Sequence, residues 1–192
     1  MMKLTSILFL VFLSSCTPFA KIFFGYRDPK PEDKKSLTKY LNRKNISAEN
    51  ILVLTDSLNY YRRIKEIKDF PEIRVFNKSG ELIFYRDTLG TCSAPAYEFT
   101  TAICRYANSI PNHAKTVMLE SKNLMTLDNT PKEISADGNY DYYVFIYWAR
   151  FLGRLNKTKT RVWEENLKNV KDCKVLVYKV NMDWQKKWDE KK

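Results

Sequence analysis

The chain has 192 residues, 33 Lys and Arg against 22 Asp and Glu, a formal charge of +11, and a hydrophobic content of 44%. That is the length of one ordinary domain with enough apolar material for a core, which excludes a disordered chain and a disulfide-stapled mini-scaffold. A single His, no C-x-x-C pair and five scattered glycines exclude a multi-His or paired-Cys metal site, a dithiol motif and a phosphate-cradling glycine loop, so no metal or cofactor is expected.

Residues 1–15 (MMKLTSILFLVFLSS) place Lys3 ahead of an apolar stretch at 7–13. This is the layout of a secretory signal, with an h-region too short to span a bilayer. It runs into Leu13-Ser14-Ser15-Cys16, which resembles a bacterial lipobox. The resemblance implies that Cys16 becomes the first residue of the mature chain and carries palmitate-type acyl groups, an anchor worth roughly 0.8 kcal/mol per buried CH₂. Thr17 follows where an Asp would favour retention in the inner membrane, so the expected location is the outer membrane, facing the periplasm. Residues 16–35, with three Pro and a Lys/Asp-rich end, read as a tether, in which Ile22-Phe23-Phe24 could meet lipid headgroups or dock on the domain.

The body, residues 36–192, reads as a single α/β domain. Leu37, Tyr40 and Leu41 have helical spacing within 36–43, and Ile46 follows in the connecting turn. Ile51–Leu54 reads as a strand. Asp56-Ser57 caps a helix in which Tyr60, Ile64 and Ile67 form the apolar face, and Pro71 stops it. Residues 73–76 and 82–85, joined at Asn77-Lys78-Ser79-Gly80, predict a hairpin. Ser93 and Pro95 open a helix with Phe99, Ala102, Ile103 and Tyr106 as its stripe. Residues 108–139 are polar and read as an irregular connector, with at most a short helix around 119–127. Tyr142–Trp148 (YYVFIYW) predicts a central strand covered on both faces; Trp163, Leu167 and Val170 mark a helix, and 175–180 a further strand. A short basic tail follows, whose Trp184 and Trp188 could lie at an interface or dock on the core.

Two fragments resemble the thioredoxin-like superfamily. Residues 144–155 (VFIYWARFLGRL) are similar to its first core strand and active-site turn, and 177–183 (VYKVNMD) to its next strand, with the K-V-N-x-D ending. Residues 70–82 (FPEIRVFNKSGEL) resemble its cis-Pro loop and following hairpin, which makes Pro71 the candidate cis proline. The resemblance implies a mixed sheet of about five strands with helices on both faces and one antiparallel hairpin. Two departures stand out. The positions of the family's redox cysteines hold Leu152 and Leu155, which cannot form a mixed disulfide. The order is also reversed, as in a circular permutation, or as in an incomplete unit (36–107) with an added β-α-β.

Cys92, just before a helix start, is the best-placed candidate for a reactive thiol. It could instead pair with Cys104 or Cys173 in an oxidising compartment; on one straight helix Cys92 and Cys104 would stand ~18 Å apart. The loop residue His113 has no Ser or Cys motif to serve, and Glu164-Glu165 read as solvated surface. The cations are interleaved with acids along the chain, which argues against nucleic acid and for a solvated surface or attraction to an anionic membrane. The expected function is a non-catalytic binding or accessory module for an envelope protein or peptide, its groove beside Pro71 and the turn after Trp148; the alternative is a thiol-disulfide oxidoreductase or peroxidase-like enzyme using Cys92.

Overall fold

The computed structural model describes residues 25–67, 70–83, 94–106 and 111–189. Residues 1–15, read above as a signal, Cys16, the 22–24 triplet, Cys92 and Ser93 lie outside the described residues.

Helix α1 (Lys34–Lys44) starts at Asp33, whose carboxylate accepts from the Ser36 N–H, while the Ser36 hydroxyl accepts in return from the Asp33 N–H. It ends on Asn45 in the left-handed conformation and buries Leu37, Tyr40 and Leu41, the residues its spacing predicts. Strand β1 (Ile51–Leu54) leads to α2 (Ser57–Glu66), capped by Asp56. Then come β2 (Glu72–Asn77), β3 (Glu81–Ile83), α3 (Ala94–Thr101), β4 (Pro111–Thr116), α4 (Val117–Ser121), β5 (Leu124–Thr126), β6 (Tyr142–Trp148), α5 (Arg161–Lys168) and β7 (Val175–Asn181).

The strands form one open mixed sheet in the order β4-β3-β2-β6-β7-β1-β5. Strand β6 runs parallel to β7 and antiparallel to β2, and β7 is parallel to β1. The fold is α/β, but the sheet has seven strands where about five were expected. Both extra strands, β4 and β5, come from the polar connector and form the two edges of the sheet. An edge strand needs only one hydrogen-bonded neighbour, and β4 is half-buried or exposed along its whole length, so no apolar pattern announces it.

Every residue of β6 is buried, and its alternation divides the core. Tyr142, Val144, Ile146 and Trp148 face the layer of α1, α3 and α5, with Phe99, Trp163 and Leu167 among their neighbours. Tyr143, Phe145 and Tyr147 face the layer that holds α2 and α4, with Leu52, Phe76, Val180 and Trp188. Helices therefore cover both faces. Helix α2 departs from expectation: Tyr60 and Ile67 pack on the core, but Ile64 faces outward and Arg63 is buried in its place. The β2–β3 turn requires glycine, because Gly80 sits at φ 77° and a Cβ there would lie 2.8 Å from the Ala136 Cβ and 2.9 Å from the Val117 Cγ1.

Truncating a residue of the central strand should be far more costly than truncating the surface. Phe145→Ala is expected to lose about 3–5 kcal/mol in urea unfolding, and the exposed Leu119→Ala less than about 0.5 kcal/mol.

Candidate functional site

The end of β6 is where the two family-like fragments meet. The Phe70–Pro71 peptide is cis, and Pro71 leads directly into β2, whose Glu72 pairs with Tyr147. After Trp148 the chain passes through extended Ala149 into a 3₁₀ turn (Arg150–Leu152), then Gly153 at φ 57° and a π-helix (Asn156–Thr160) that runs into α5. The rings of Phe70 and Phe151 lie 5.9 Å apart. Leu152 and Leu155, 2% and 8% exposed, point into the core layer below α2. The two positions that carry sulfur in the family are thus apolar packing residues here.

Residues 25–33 cross this corner as a strap. The Arg27 N–H donates to the Phe151 carbonyl at 2.9 Å, the Glu32 N–H to the Trp184 carbonyl at 2.7 Å, and the Lys186 N–H to the Glu32 carbonyl at 2.9 Å. The buried Glu32 carboxylate pairs with the Arg150 guanidinium and accepts from the Ser36 hydroxyl at 2.5 Å. Arg150 also lies 4.9 Å above the Tyr40 ring. Beneath it, the Asp183 carboxylate accepts from the Arg150 N–H at 2.8 and 3.1 Å and from the Asn181 side-chain amide at 2.7 Å. Burial pushes the Asp183 carboxyl up to about 6 against the pull of those hydrogen bonds, and the charge of Glu32 adds to the rise. Arg27, Glu32, Arg150, Phe151 and Asp183 line a cleft of about 350 Å³.

Beside Pro71, on the α2 side of the sheet, lies a buried charge cluster. Arg74 reaches Glu72 at 2.5 Å and Glu120 at 3.2 Å, and Arg63 reaches Glu120 at 3.1 Å and Glu66 at 3.0 Å. The two guanidinium carbons stand 5.1 and 5.5 Å from the ring centre of Tyr147, whose hydroxyl donates to Glu120. Burial, then the Glu120 charge, raise the Tyr147 phenol well above its ordinary value. It stays a hydrogen-bond donor at any physiological pH and is no base.

Glu164 corrects an expectation. It is buried rather than solvated, and accepts from Lys179 at 2.9 Å and Lys168 at 2.8 Å; burial opposes its charge, yet those two cations hold its carboxyl below the usual range. The cause is that β7 places Lys179 inward beneath α5. Glu165 is exposed and pairs with Arg161 at 2.7 Å. His113 stands exposed on β4, 2.5 Å from Glu81. Cys104 and Cys173 form a disulfide with Cα atoms 5.7 Å apart, tying the turn after α3 to the loop before β7. Among the described residues there is no group of three or more His, Cys, Asp or Glu able to hold a metal ion, and no helix is long and apolar enough to cross a membrane.

Sequence reasoning missed Glu32, Arg150, Glu120 and the pair Arg63–Arg74. Asp183 had been read only as the end of the K-V-N-x-D fragment. Their contacts with one another span distant parts of the chain, Glu32 with Arg150 and both Arg63 and Arg74 with Glu120, so no local spacing reveals the clusters. Compared with known protein families, curated proteins and solved structures, the chain matches none.

Two predictions arise here. The folded protein holds the Asp183 proton more tightly than the unfolded chain, whose carboxyl titrates near 3.8. The stability this group adds is therefore complete below that value and is lost as pH rises through about 6, a change of about 3 kcal/mol. Urea unfolding at pH 3 to 7 should show wild type losing about that amount relative to Asp183→Asn as pH rises; parallel curves would contradict it. Arg74→Met, which leaves Glu72 and Glu120 short of a buried cation, should cost about 3–5 kcal/mol, against less than about 1 kcal/mol for the exposed Arg161→Ala.

Proposed function

We propose that this chain is a lipid-anchored envelope protein whose thioredoxin-like domain binds an extended peptide or protein segment and performs no thiol chemistry. The observation that carries the reading is the meeting of the cis-Pro71 loop with a turn that presents Leu152 and Leu155 as core residues. The two fragments resembling the thioredoxin superfamily are reversed in chain order, yet β2 and β6 pair over six residue positions, Glu72–Tyr147 to Asn77–Tyr142. The β6-α5-β7 unit lies in the middle of the sheet, between β2 and β1, a placement that fits a permuted domain and equally an incomplete unit (36–107) completed by the added β-α-β.

Binding fits the corner's chemistry. It offers aromatic faces (Phe70, Phe151) and the Arg150 side chain, and the protein's own strap already docks there through main-chain hydrogen bonds. An incoming peptide would meet the same backbone groups and aromatic faces. The anchor is assigned to Cys16 on the lipobox-like sequence before it, with the domain on the periplasmic side of the outer membrane.

Peptides selected on the purified protein should bind with micromolar Kd and perturb amide resonances of Phe70, Glu72 and residues 149–153, and Phe151→Asp should weaken binding at least about tenfold, the loss of an aromatic anchor. Insulin reduction with dithiothreitol should stay at background. Turnover above background that disappears in Cys92→Ser would overturn the reading in favour of an oxidoreductase.

A further inference from the structure

Among the described residues, six large apolar side chains are prominently exposed: Leu58, Tyr61, Ile64, Tyr97, Met118 and Leu119. Five of the six belong to α2 and α4. On α2, Leu58, Tyr61 and Ile64 recur every three residues along the outward side. Met118 and Leu119 stand on α4, which the Arg63–Glu120 ion pair at 3.1 Å links to α2. Tyr60 of α2 and Val117 of α4 pack on the same core layer, so the five outward residues, each between 38% and 66% exposed, lie on the one face of the sheet that these two helices cover. Exposed apolar residues concentrated on one face mark a contact surface, whereas apolar residues scattered singly do not.

Its surroundings specify the partner. Arg62 and Lys65 on α2, Lys115 at the end of β4 and Lys122 after α4 are exposed around it. The acids on these two helices are spoken for: Glu120 is buried with Arg63 and Arg74, and Glu66 pairs with the same two arginines. Trp184, half-buried, packs edge-on against Tyr60 at 5.4 Å and close to Tyr61 at 5.7 Å, which adds an amphipathic aromatic rim. Apolar residues, an aromatic rim and a ring of cations are the composition that lies in the headgroup region of an anionic bilayer.

The chain's route leads to the same place. The strap enters on this side of the sheet, where Tyr26 and Phe151 pack on the same core layer as Tyr60 and Ile67 of α2. From Cys16 to Gly25 the backbone spans nine residues, at most about 32 Å when fully extended. A lipid on Cys16 would hold this side of the domain within that distance of the membrane.

We infer that the α2–α4 face, with Leu58, Tyr61, Ile64, Met118 and Leu119 at its centre, rests on an anionic lipid surface and fixes the orientation of the domain on the membrane. The inference takes from the function proposed above only the anchor at Cys16, and is independent of any peptide bound at the corner.

The test uses the acylated protein in vesicles of phosphatidylcholine and phosphatidylglycerol containing radiolabelled lipid. The photo-crosslinking residue benzoylphenylalanine replaces Tyr61 or, as the control, Tyr97, the exposed aromatic residue of α3. Lipid adducts should form from position 61 at least about tenfold more than from position 97, and reversing Arg62 and Lys65 to Glu should cut the yield about fivefold for each cation. Equal yields at the two positions, or no adduct from 61, would overturn the inference. So would adducts in intact cells that run from 61 to a protein. Palmitate uptake by the wild-type chain and its loss in Cys16→Ala, measured in the same cells, report on the anchor separately: adducts from 61 without palmitate uptake would keep the face and remove the anchor.

Discussion

Strand β6 is the constraint from which the rest of the molecule is arranged. All seven of its residues are buried, and both its edges are paired, six residues with β2 and seven with β7. A strand in that position can expose no backbone polar group and must be apolar on both faces, the condition YYVFIYW meets. Its register decides which residues reach each layer. A slip of one position would exchange Tyr147, which sits between Arg63 and Arg74, for Trp148, which stacks on Tyr40. Because β7 runs with β6 and β2 runs against it, the start of β2 and the ends of the other two strands collect at one edge. Pro71, the Arg150 turn and Asp183 meet there for that reason alone.

Burying charge next to an apolar strand is costly, and the structure meets that cost differently in three places. Arg63, Arg74, Glu72 and Glu120 neutralise one another, and the hydroxyl and ring of Tyr147 fill the space between them. Lys179 and Glu164 form a smaller pair under α5, with the Ser47 carbonyl taking a further ammonium hydrogen at 2.8 Å. In both, removing one partner leaves a charge in a medium that cannot solvate it. Asp183 is the exception. Glu32 stands near it, Arg150 divides its side chain and backbone between the two acids, and burial outweighs the hydrogen bonds. At the corner, then, burial is not fully offset by pairing, and backbone hydrogen bonds from the strap hold the segments together.

What the sequence made legible follows the physics of pattern. Helix α1 and strands β1, β2, β6 and β7 were readable because each buries a continuous or periodic apolar set. The hairpin turn was readable because Gly80 stands where a side chain has no room. Edge strand β4 was hidden because a strand paired on one side can be polar, and β5 because three residues, of which Leu124 and Met125 are buried, are too few to show a strand period in a stretch that reads as a short helix. Arg63 was hidden on α2 because a buried arginine paired with Glu66 and with Glu120 of α4 looks, in sequence, like any surface cation, and Ile64 was misread for the complementary reason. The site was half legible: Pro71, Leu152 and Leu155 could be picked out from the resemblance, whereas the Glu32–Arg150–Asp183 arrangement joins three distant segments. Cys92 belongs to neither group, since it lies outside the described residues.

The two leucines that stand where the resembling family carries sulfur have a structural role of their own. A redox cysteine must be open to a partner thiol, whereas Leu152 and Leu155 are drawn into the same core layer as Tyr147, Val180 and Trp188. That leaves the outer side of the turn to its backbone and to Phe151, and the strap takes the Phe151 carbonyl. What the described corner presents is main-chain hydrogen bonding, the aromatic faces of Phe70 and Phe151 and the Glu32–Arg150 pair, the features on which the proposed peptide binding rests. The strap leads away from the corner on the side of α2, so the segment that joins the proposed anchor to the domain also contacts the proposed groove. A ligand entering the corner would have to share that edge with the strap, and the tension on the tether would then bear directly on how strongly the groove is occupied.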